Sequence, residues 1–254
     1  MRSAGYIQKL TSNPSRLEEE IDRMLLRTKE DIIGEKELNK VRIDDCTEPL
    51  VRLTDYIEEV IIAMTPSRCR YDDETLYARE SVAKQLVRVA REMTPRKLKI
   101  YDAFRPIEYQ QKLFEAVFDK IQLENPEWEK QRVREETFIY VFPPSWDEQT
   151  PPPHSTGAAI DLTVTDAAGK ELNMGTQYCE FDNPLLYTNA SGLTKQQKAN
   201  RRFLITSMAS QGFVNYPGEW WHFSLGDREW IAYLGETTLP AIFGRADDPY
   251  KQRK

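Results

Sequence analysis

The sequence predicts an α+β fold, and three observations support that prediction. Several segments have apolar residues at helical spacing, whereas others alternate apolar and polar residues as strands do. The two kinds of segment are mixed along the chain, without the regular β-α-β alternation that indicates a parallel sheet. With 254 residues, of which 40% are hydrophobic, the chain is long enough for one substantial core or for one domain with an appendage.

Four segments are predicted to be amphipathic helices. The first starts at the capping sequence Ser12-Asn13-Pro14, and its apolar residues form one stripe. The last is closed by Gly212, a residue that favours the left-handed backbone with which many helices end. The four segments are RLEEEIDRMLLRTKEDII, ESVAKQLVRVAREM, IEYQQKLFEAVFDKI and KANRRFLITSMASQGF.

Strands are predicted where short apolar runs lie between turn signals. LKIYDAF ends at Arg105-Pro106, and AAIDLTV follows a proline-rich loop over residues 143–153. FVNYPGEWWHFSL is predicted to form two strands around a Pro-Gly turn. Residues 182–200 are polar and are expected to be irregular.

Composition argues against several classes of partner. A formal net charge of −6 argues against general nucleic-acid binding, which needs a basic surface. No apolar run approaches the ~18 residues of a membrane span, and MRSAGYIQKLTSNPSRLEEE lacks the apolar core of a signal peptide. The three cysteines show no pairing pattern. We therefore expect reduced thiols, a cytoplasmic protein, and no nucleic-acid or membrane partner.

The stretch PPPHSTGAAIDLTV places one of the chain's two histidines close to a strand carboxylate. In AIDLTV, alternation puts Ile160 and Leu162 on one face and Asp161 on the other. His154 lies upstream in a loop, and Gly157 permits a sharp bend between loop and strand. The histidine and the aspartate can thus converge on one point. A surface histidine near a strand-end aspartate explains this segment equally well.

The second histidine, in GEWWHF, favours a metal site. His154, Asp161 and His222 are a suitable ligand set for zinc, with a fourth position open to water. Glu219, three positions before His222, is suited to act as a general base on that water. Residues three apart face opposite sides of a regular strand, so Glu219 must lie in the Pro-Gly turn or beside a bulge. The two tryptophans between them are interpreted as core packing that also keeps the site dry.

The third element is YDAFRP, which places Arg105 at the end of a predicted strand. An arginine in such a place is usually a surface cation. Held near a metal, it would stabilise the oxyanion of a tetrahedral intermediate. Sequence spacing alone does not bring Arg105 to the two histidines.

Together, YDAFRP, HSTGAAIDLTV, NMGT and GEWWHF resemble, in order and approximate spacing, the D-alanyl-D-alanine dipeptidases of the vancomycin-resistance type. That family comprises zinc peptidases that share a fold with lysostaphin and the Sonic hedgehog amino-terminal domain. The resemblance covers residues 50–225 and implies a small central, mainly antiparallel sheet with flanking helices.

The resemblance also implies roles for individual residues. One zinc ion per chain would be bound by His154, Asp161 and His222. Glu219 would activate the water and later pass its proton to the leaving amine. Arg105 would hydrogen-bond the developing oxyanion.

Departures from the family pattern concern the substrate pocket. The family has a serine two residues before the first histidine, where this chain has Pro152. After the M-G-T it has an aspartate that receives the substrate's ammonium group, where this chain has Cys179. Glu180, one residue displaced, is the candidate substitute, and Asp102 matches an acidic position near the substrate. The segment SRCRYDDETLYARES also lacks the family's D-N-F-x-G stretch.

We therefore expect a zinc-dependent dipeptidase that hydrolyses D-Ala-D-Ala or a related short peptide. Two alternatives stay open: a D,D-carboxypeptidase acting on longer peptidoglycan peptides, and a non-catalytic zinc-binding recognition domain. We expect the catalytic domain over residues 49–254, after a helical extension over residues 1–48. For that extension, dimerisation, a lid and added core packing are all compatible with the sequence, and oligomeric state stays open.

Overall fold

The computed structural model describes residues 12–56, 61–62, 75–236 and 238–251. Most of the segment SRCRYDDETLYARES, including Cys69, lies outside these ranges. In chain order the elements are α1 Pro14–Leu26, α2 Glu35–Leu38, β1 Leu50–Arg52, β2 Ile61–Ile62, β3 Tyr77–Arg79, α3 Glu80–Glu92, β4 Lys97–Asp102, α4 Ile107–Glu124, α5 Lys130–Tyr140, β5 Ala159–Thr165, α6 Lys195–Ala209, β6 Val214–Asn215, β7 His222–Ser224 and α7 Arg228–Leu234. Short 3-10 turns cover Lys29–Asp31, Leu53–Asp55, Pro153–Thr156 and Pro184–Leu186.

The main sheet has five strands in the order β2-β4-β5-β7-β6. Only β2 and β4 run parallel, and the other three neighbouring pairs are antiparallel. Strands β1 and β3 form a separate antiparallel pair. The predicted α+β class, with a small, mainly antiparallel sheet and flanking helices, is confirmed.

Strand β5 is the centre of the sheet, and its register determines where the polar residues meet. Every residue of β5 is buried. Asp161 lies opposite Asp102 on β4 and opposite His222 on β7. Because directly opposite residues of an antiparallel pair share a face, these three side chains form one row across three strands. Ile160 and Leu162 belong to the hydrophobic core, as the alternation predicted.

The predicted helices are present, but α1 ends at Leu26 and not at Ile33, because Arg27 and Thr28 have extended backbone before a separate 3-10 turn. Asn13 caps α1, since its side-chain oxygen accepts a hydrogen bond from the Arg16 N–H. Helix α6 begins at Lys195, earlier than predicted, because Thr194 and Gln197 form a capping box. Gly212, at a φ of 88°, lies in the turn that follows α6.

Sequence patterns missed three helices, of which α2 is only four residues long. Helix α5 is rich in charge, and its three buried residues, Val133, Thr137 and Phe138, form too narrow a stripe to stand out. Helix α7 is buried on every side, so it has no polar face and no amphipathic period. Periodicity identifies a helix only when one face meets water and the other meets the core.

The amino-terminal segment packs on the rest of the fold. Helix α1 lies against α6, and its Ile21 and Met24 belong to the same hydrophobic core as the sheet. Further along, Ile43 forms a bridge with Ala241 near the other end of the described chain. Residues 12–48 thus contribute to the core that supports the sheet. Within the described ranges, no helix is both long and apolar enough to cross a membrane.

Candidate metal centre

Two histidines and an aspartate converge at one edge of the central strands. His154, Asp161 and His222 each offer a ligand atom, and these atoms lie within 4.8 Å of one another. All three residues are buried. The predicted trio is therefore brought together, although 61 residues separate Asp161 from His222 in the chain.

His154 lies in the 3-10 turn that precedes β5. Its Nδ1 is 2.7 Å from the carbonyl oxygen of Ala103. A carbonyl only accepts hydrogen bonds, so Nδ1 carries the proton and Nε2 presents a lone pair. Nε2 lies 3.3 Å from Oδ1 of Asp161. The turn ends at Gly157, where a φ of 73° is combined with a tight fit, because an added Cβ would come 2.3 Å from Leu50.

His222 is held from the opposite side. Its Nε2 lies 2.9 Å from Oε2 of Glu229, on α7, and donates its proton to that carboxylate. Its Nδ1 lies 2.9 Å from Oδ1 of Asp161. The hydroxyl of Ser224 donates to Glu229 as well, which orients the carboxylate. A carboxylate behind a histidine is a common way to fix the tautomer and ring angle of a metal ligand.

The donor set fits a metal cation. Two imidazole nitrogens face one carboxylate oxygen in a buried space, and three such electron-rich atoms repel one another unless a cation lies among them. A mixture of nitrogen and oxygen donors suits zinc, whereas calcium and magnesium prefer oxygen alone. His154, Asp161 and His222 are thus the residues that would hold the ion.

The pKa values of these groups reflect the attraction between the histidines and the carboxylates around them. Burial alone would lower the pKa of His222, but Glu229 and Asp161 raise it well above the ordinary histidine range. Burial likewise opposes ionisation of Asp161, yet His154 and His222 hold the pKa of that carboxyl well below its usual value. A site that attracts a proton so strongly also attracts a metal ion that can replace the proton.

Glu219 lies in the turn between β6 and β7, which is one of the two positions that the sequence allowed, the other being beside a bulge. Its N–H donates to the carbonyl of Tyr216, and its Oε2 lies 4.0 Å from Nδ1 of His222. No bulge is needed in this part of the chain, because β7 begins at His222 itself. Burial, together with the negative charge of Asp161, raises the pKa of Glu219 well above the usual glutamate value.

Arg105 reaches the site through the fold, not through sequence proximity. Its guanidinium donates to Oδ2 of Asp102 at 2.6 and 3.0 Å and to Gln110 at 2.9 Å. The same guanidinium lies 3.9 Å from Oδ2 of Asp161. Its backbone N–H donates to the carbonyl of His154, so the strand end that carries Arg105 is joined to the turn that carries a ligand.

The two tentative substrate-binding residues occupy different places. Asp102 is fully buried behind Arg105, where it orients the guanidinium, and it does not line the site cavity. Glu180 is exposed, and its carboxylate accepts hydrogen bonds from the Gln177 N–H and the Asn183 side chain. It lines a neighbouring cavity instead.

Sequence reasoning missed two residues of the site, Tyr178 and Glu229. The Tyr178 hydroxyl donates to Oδ2 of Asp161 at 2.9 Å. It lies within NMGTQYCEF, where the family pattern places the ammonium-binding residue at position 179, with Glu180 as the candidate substitute. Glu229 follows the Gly-Asp turn after β7, and no local signal distinguishes it from a surface acid.

A small cavity of about 50 Å³ opens onto these groups. Its walls are largely aromatic and apolar and include Trp221, which packs in the hydrophobic core together with Trp220. The polar groups at its base are Arg105, His154, Asp161, Glu219 and His222. This is a concave, mostly apolar pocket with a few convergent polar groups, as expected of a small-ligand site.

The chain matches a known family over most of its length. The Peptidase_M15 family, described as D-ala-D-ala dipeptidase, matches residues 65–239. The chain belongs to this family. The match includes every ligand, Glu219 and Arg105.

Several curated relatives carry the family's name. The D-alanyl-D-alanine dipeptidase of Synechocystis is 35% identical over 149 residues, which are 52% of this chain and 60% of the relative. The Escherichia coli protein of the same name is 34% identical over 128 residues, 50% of this chain and 54% of the relative. The chain thus spans between about half and three fifths of the length of these relatives.

Solved structures are more distant. A structure described as VanYB in complex with D-Alanine-D-Alanine covers 70% of this chain and 89% of its own, at 13% identity and a TM-score of 0.39. A structural likeness at that level says nothing about the site. The assignment of the site depends on its geometry and on the family match.

Proposed function

We propose that this protein is a zinc-dependent dipeptidase that hydrolyses D-Ala-D-Ala or a related short peptide. One observation carries the proposal: His154, Asp161 and His222 converge in a buried pocket that also contains Glu219. Membership of the D-ala-D-ala dipeptidase family supports the choice of substrate class.

The proposed ligand atoms are Nε2 of His154, Nδ1 of His222 and Oδ1 of Asp161. Each is the atom that faces the other two, while the remaining nitrogen of each histidine donates a hydrogen bond outwards. A zinc ion there polarises a peptide carbonyl and lowers the pKa of water. The residues of the chain then orient the peptide and move the protons.

Glu219 is the proposed general base. Its Oε2 lies 4.0 Å from Nδ1 of His222, a proposed ligand atom. A water bound beside the three ligand atoms would therefore be close enough to give a proton to this carboxylate. The same carboxyl then delivers the proton to the amine that leaves when the peptide bond breaks.

Arg105 is the proposed oxyanion donor. Asp102 and Gln110 hold its guanidinium, so the donor is oriented before substrate arrives. A preoriented donor in a buried pocket stabilises developing negative charge more than a mobile surface arginine does, because no reorganisation is required.

Longer peptides are a second candidate substrate, and the pocket wall at Cys179 favours them. Cys179 lines the site cavity and also a neighbouring cavity of about 390 Å³. Leu113 and Phe181 line both cavities as well. At the wall that the two cavities share, a thiol and apolar side chains offer no negative charge to a free ammonium group and suit an uncharged, acylated amine, while Glu180 and Asp182 line only the neighbouring cavity.

Product release from zinc-loaded protein tests the proposal. The substrates are D-Ala-D-Ala, the L,L and mixed dipeptides, and N-acetyl-D-Ala-D-Ala, with chelator-treated protein as the control. We expect rapid, zinc-dependent hydrolysis of D-Ala-D-Ala. Preference for the acetylated substrate would favour the longer peptides. Zinc binding without hydrolysis of any of them would overturn the proposal and favour a recognition domain.

A further inference from the structure

Tyr178 contacts the one proposed ligand that is a carboxylate. Its hydroxyl donates to Oδ2 of Asp161 at 2.9 Å, whereas both histidines face Oδ1 of the same side chain. We propose that Tyr178 is a positioning residue that holds Asp161 as a ligand through one oxygen only. This inference rests on the proposed metal site.

The hydroxyl is placed by a rigid ring. Tyr178 stacks on Tyr101 with a centroid distance of 4.4 Å and an interplanar angle of 13°. On its other side it meets Trp221 edge-on, at 5.5 Å and 78°. Two aromatic contacts leave the ring little freedom, so the hydroxyl points at Oδ2 without further ordering. A preordered donor of this kind is expected next to a metal ligand.

The loop that carries Tyr178 is held by a buried arginine on α6. The guanidinium of Arg201 donates to the carbonyls of Met174, Leu185, Tyr187 and Thr188, and all four acceptors belong to the segment that contains Tyr178. An irregular segment thereby acquires a defined path. Tyr178 is thus anchored through its backbone as well as its ring.

Occupation of Oδ2 also separates Asp161 from Arg105. The guanidinium lies 3.9 Å from Oδ2, beyond hydrogen-bond distance, and is engaged by Asp102 and Gln110. Without the hydroxyl, Oδ2 would be left to the metal or to Arg105. The first outcome turns Asp161 into a two-oxygen ligand, and the second draws Arg105 away from the pocket and weakens the ligand by charge neutralisation.

The variant Tyr178→Phe tests the inference, because it removes the hydroxyl and keeps both ring contacts. Zinc affinity is measured by competition with a chromogenic chelator, and circular dichroism verifies the fold. We expect affinity to fall about 10- to 100-fold, the usual effect of losing a hydrogen bond to a metal ligand. We also expect the d–d absorption of the Co²⁺-loaded variant to change, because the carboxylate now binds differently.

Tyr101→Phe is the matched control. It removes a hydroxyl from the neighbouring ring of the same stack, where Glu171 is the nearby carboxylate. We expect its zinc affinity and Co²⁺ spectrum to match wild type. An unchanged affinity and spectrum in Tyr178→Phe, with tight zinc binding by wild type, would overturn this inference alone. Failure of wild type to bind zinc would overturn the proposed function and this inference together.

Discussion

The two sides of the pocket are built by different means. On one side, His154, Asp161 and His222 are placed by backbone structure: a 3-10 turn, a central strand and its antiparallel neighbour. On the other side, the segment around Tyr178 has no helix or strand and is held by the side chain of Arg201. The ligand side is therefore placed by strand pairing and a short turn, whereas the loop side depends chiefly on side-chain hydrogen bonds from Arg201, Asn200 and Trp220.

This difference explains which sequence-based assignments reached the pocket. The family motifs identify the three candidate ligands, and the strand register together with the turn before β5 brings them together. In the loop, the same transfer of roles leads to Glu180, which the structure places outside the site cavity, next to residues of its own turn. Tyr178, two positions earlier, contacts Asp161 instead. Roles transferred from a family motif are more dependable in paired strands, where the position of each residue is fixed, than in a loop whose alignment can shift.

The largest effect is expected for a substitution of Glu219, which tests the chemistry of the ligand side. In Glu219→Gln, the side chain keeps its size and loses the ability to accept a proton. We expect kcat to fall by about 10²- to 10⁴-fold, the usual contribution of general acid–base catalysis, with zinc content unchanged. Hydrolysis rates and metal analysis of the same preparation are the measurement. Full activity in this variant would remove Glu219 from the mechanism.

The second prediction concerns the anchor of the loop side. Arg201→Leu removes a donor from four carbonyl oxygens, of which that of Tyr187 keeps a hydrogen bond from the Ala190 N–H. We expect the free energy of unfolding to fall by about 2–3 kcal/mol, since unsatisfied buried polar groups are costly and the loop can only partly rearrange. Urea denaturation measures this loss. Zinc affinity should fall as well, because Tyr178 loses its support. Wild-type stability would show that the loop is held by other contacts.

A third prediction compares the ligand side with Tyr178. In Glu229→Gln, the charge behind His222 is removed while the hydrogen-bonding shape is kept. We expect zinc affinity to fall about 10- to 100-fold, because the carboxylate orients His222 and raises its basicity. Chelator competition measures it. Combining this variant with Tyr178→Phe should give a non-additive loss, because Tyr178, Asp161, His222 and Glu229 form one hydrogen-bonded chain. An additive result would show that the two sides act independently.

The smallest effect is expected at Glu180. Its contacts are confined to Gln177 and Asn183, so Glu180→Gln should change KM for free D-Ala-D-Ala by less than about twofold, in line with other exposed surface substitutions. Steady-state kinetics with the free dipeptide and its N-acetylated form are the measurement. A large rise in KM for the free dipeptide only would restore Glu180 as the ammonium-binding residue and would mean that the loop changes register on binding.

The sequence by itself determined the local features of this protein. Apolar periodicity predicted helices α1, α3, α4 and α6, and alternation predicted the face of β5 on which Asp161 lies. The Pro-Gly turn before GEWWHF accounted for the position of Glu219. Such features depend on backbone sterics and on nearest neighbours in the chain, so the residues that cause them are adjacent in sequence.

Only the tertiary structure decided the relations between distant segments. Strand register sets Asp102, Asp161 and His222 in one row, and the link between Arg105 and His154 brings the guanidinium to the pocket. Helix α7 places Glu229 beside His222. Arg201 holds the segment from which Tyr178 contacts Asp161. These contacts join residues that lie in separate segments of the chain, and no local sequence pattern indicates that they meet. They depend on which surfaces pack together, and that is settled by the whole core at once.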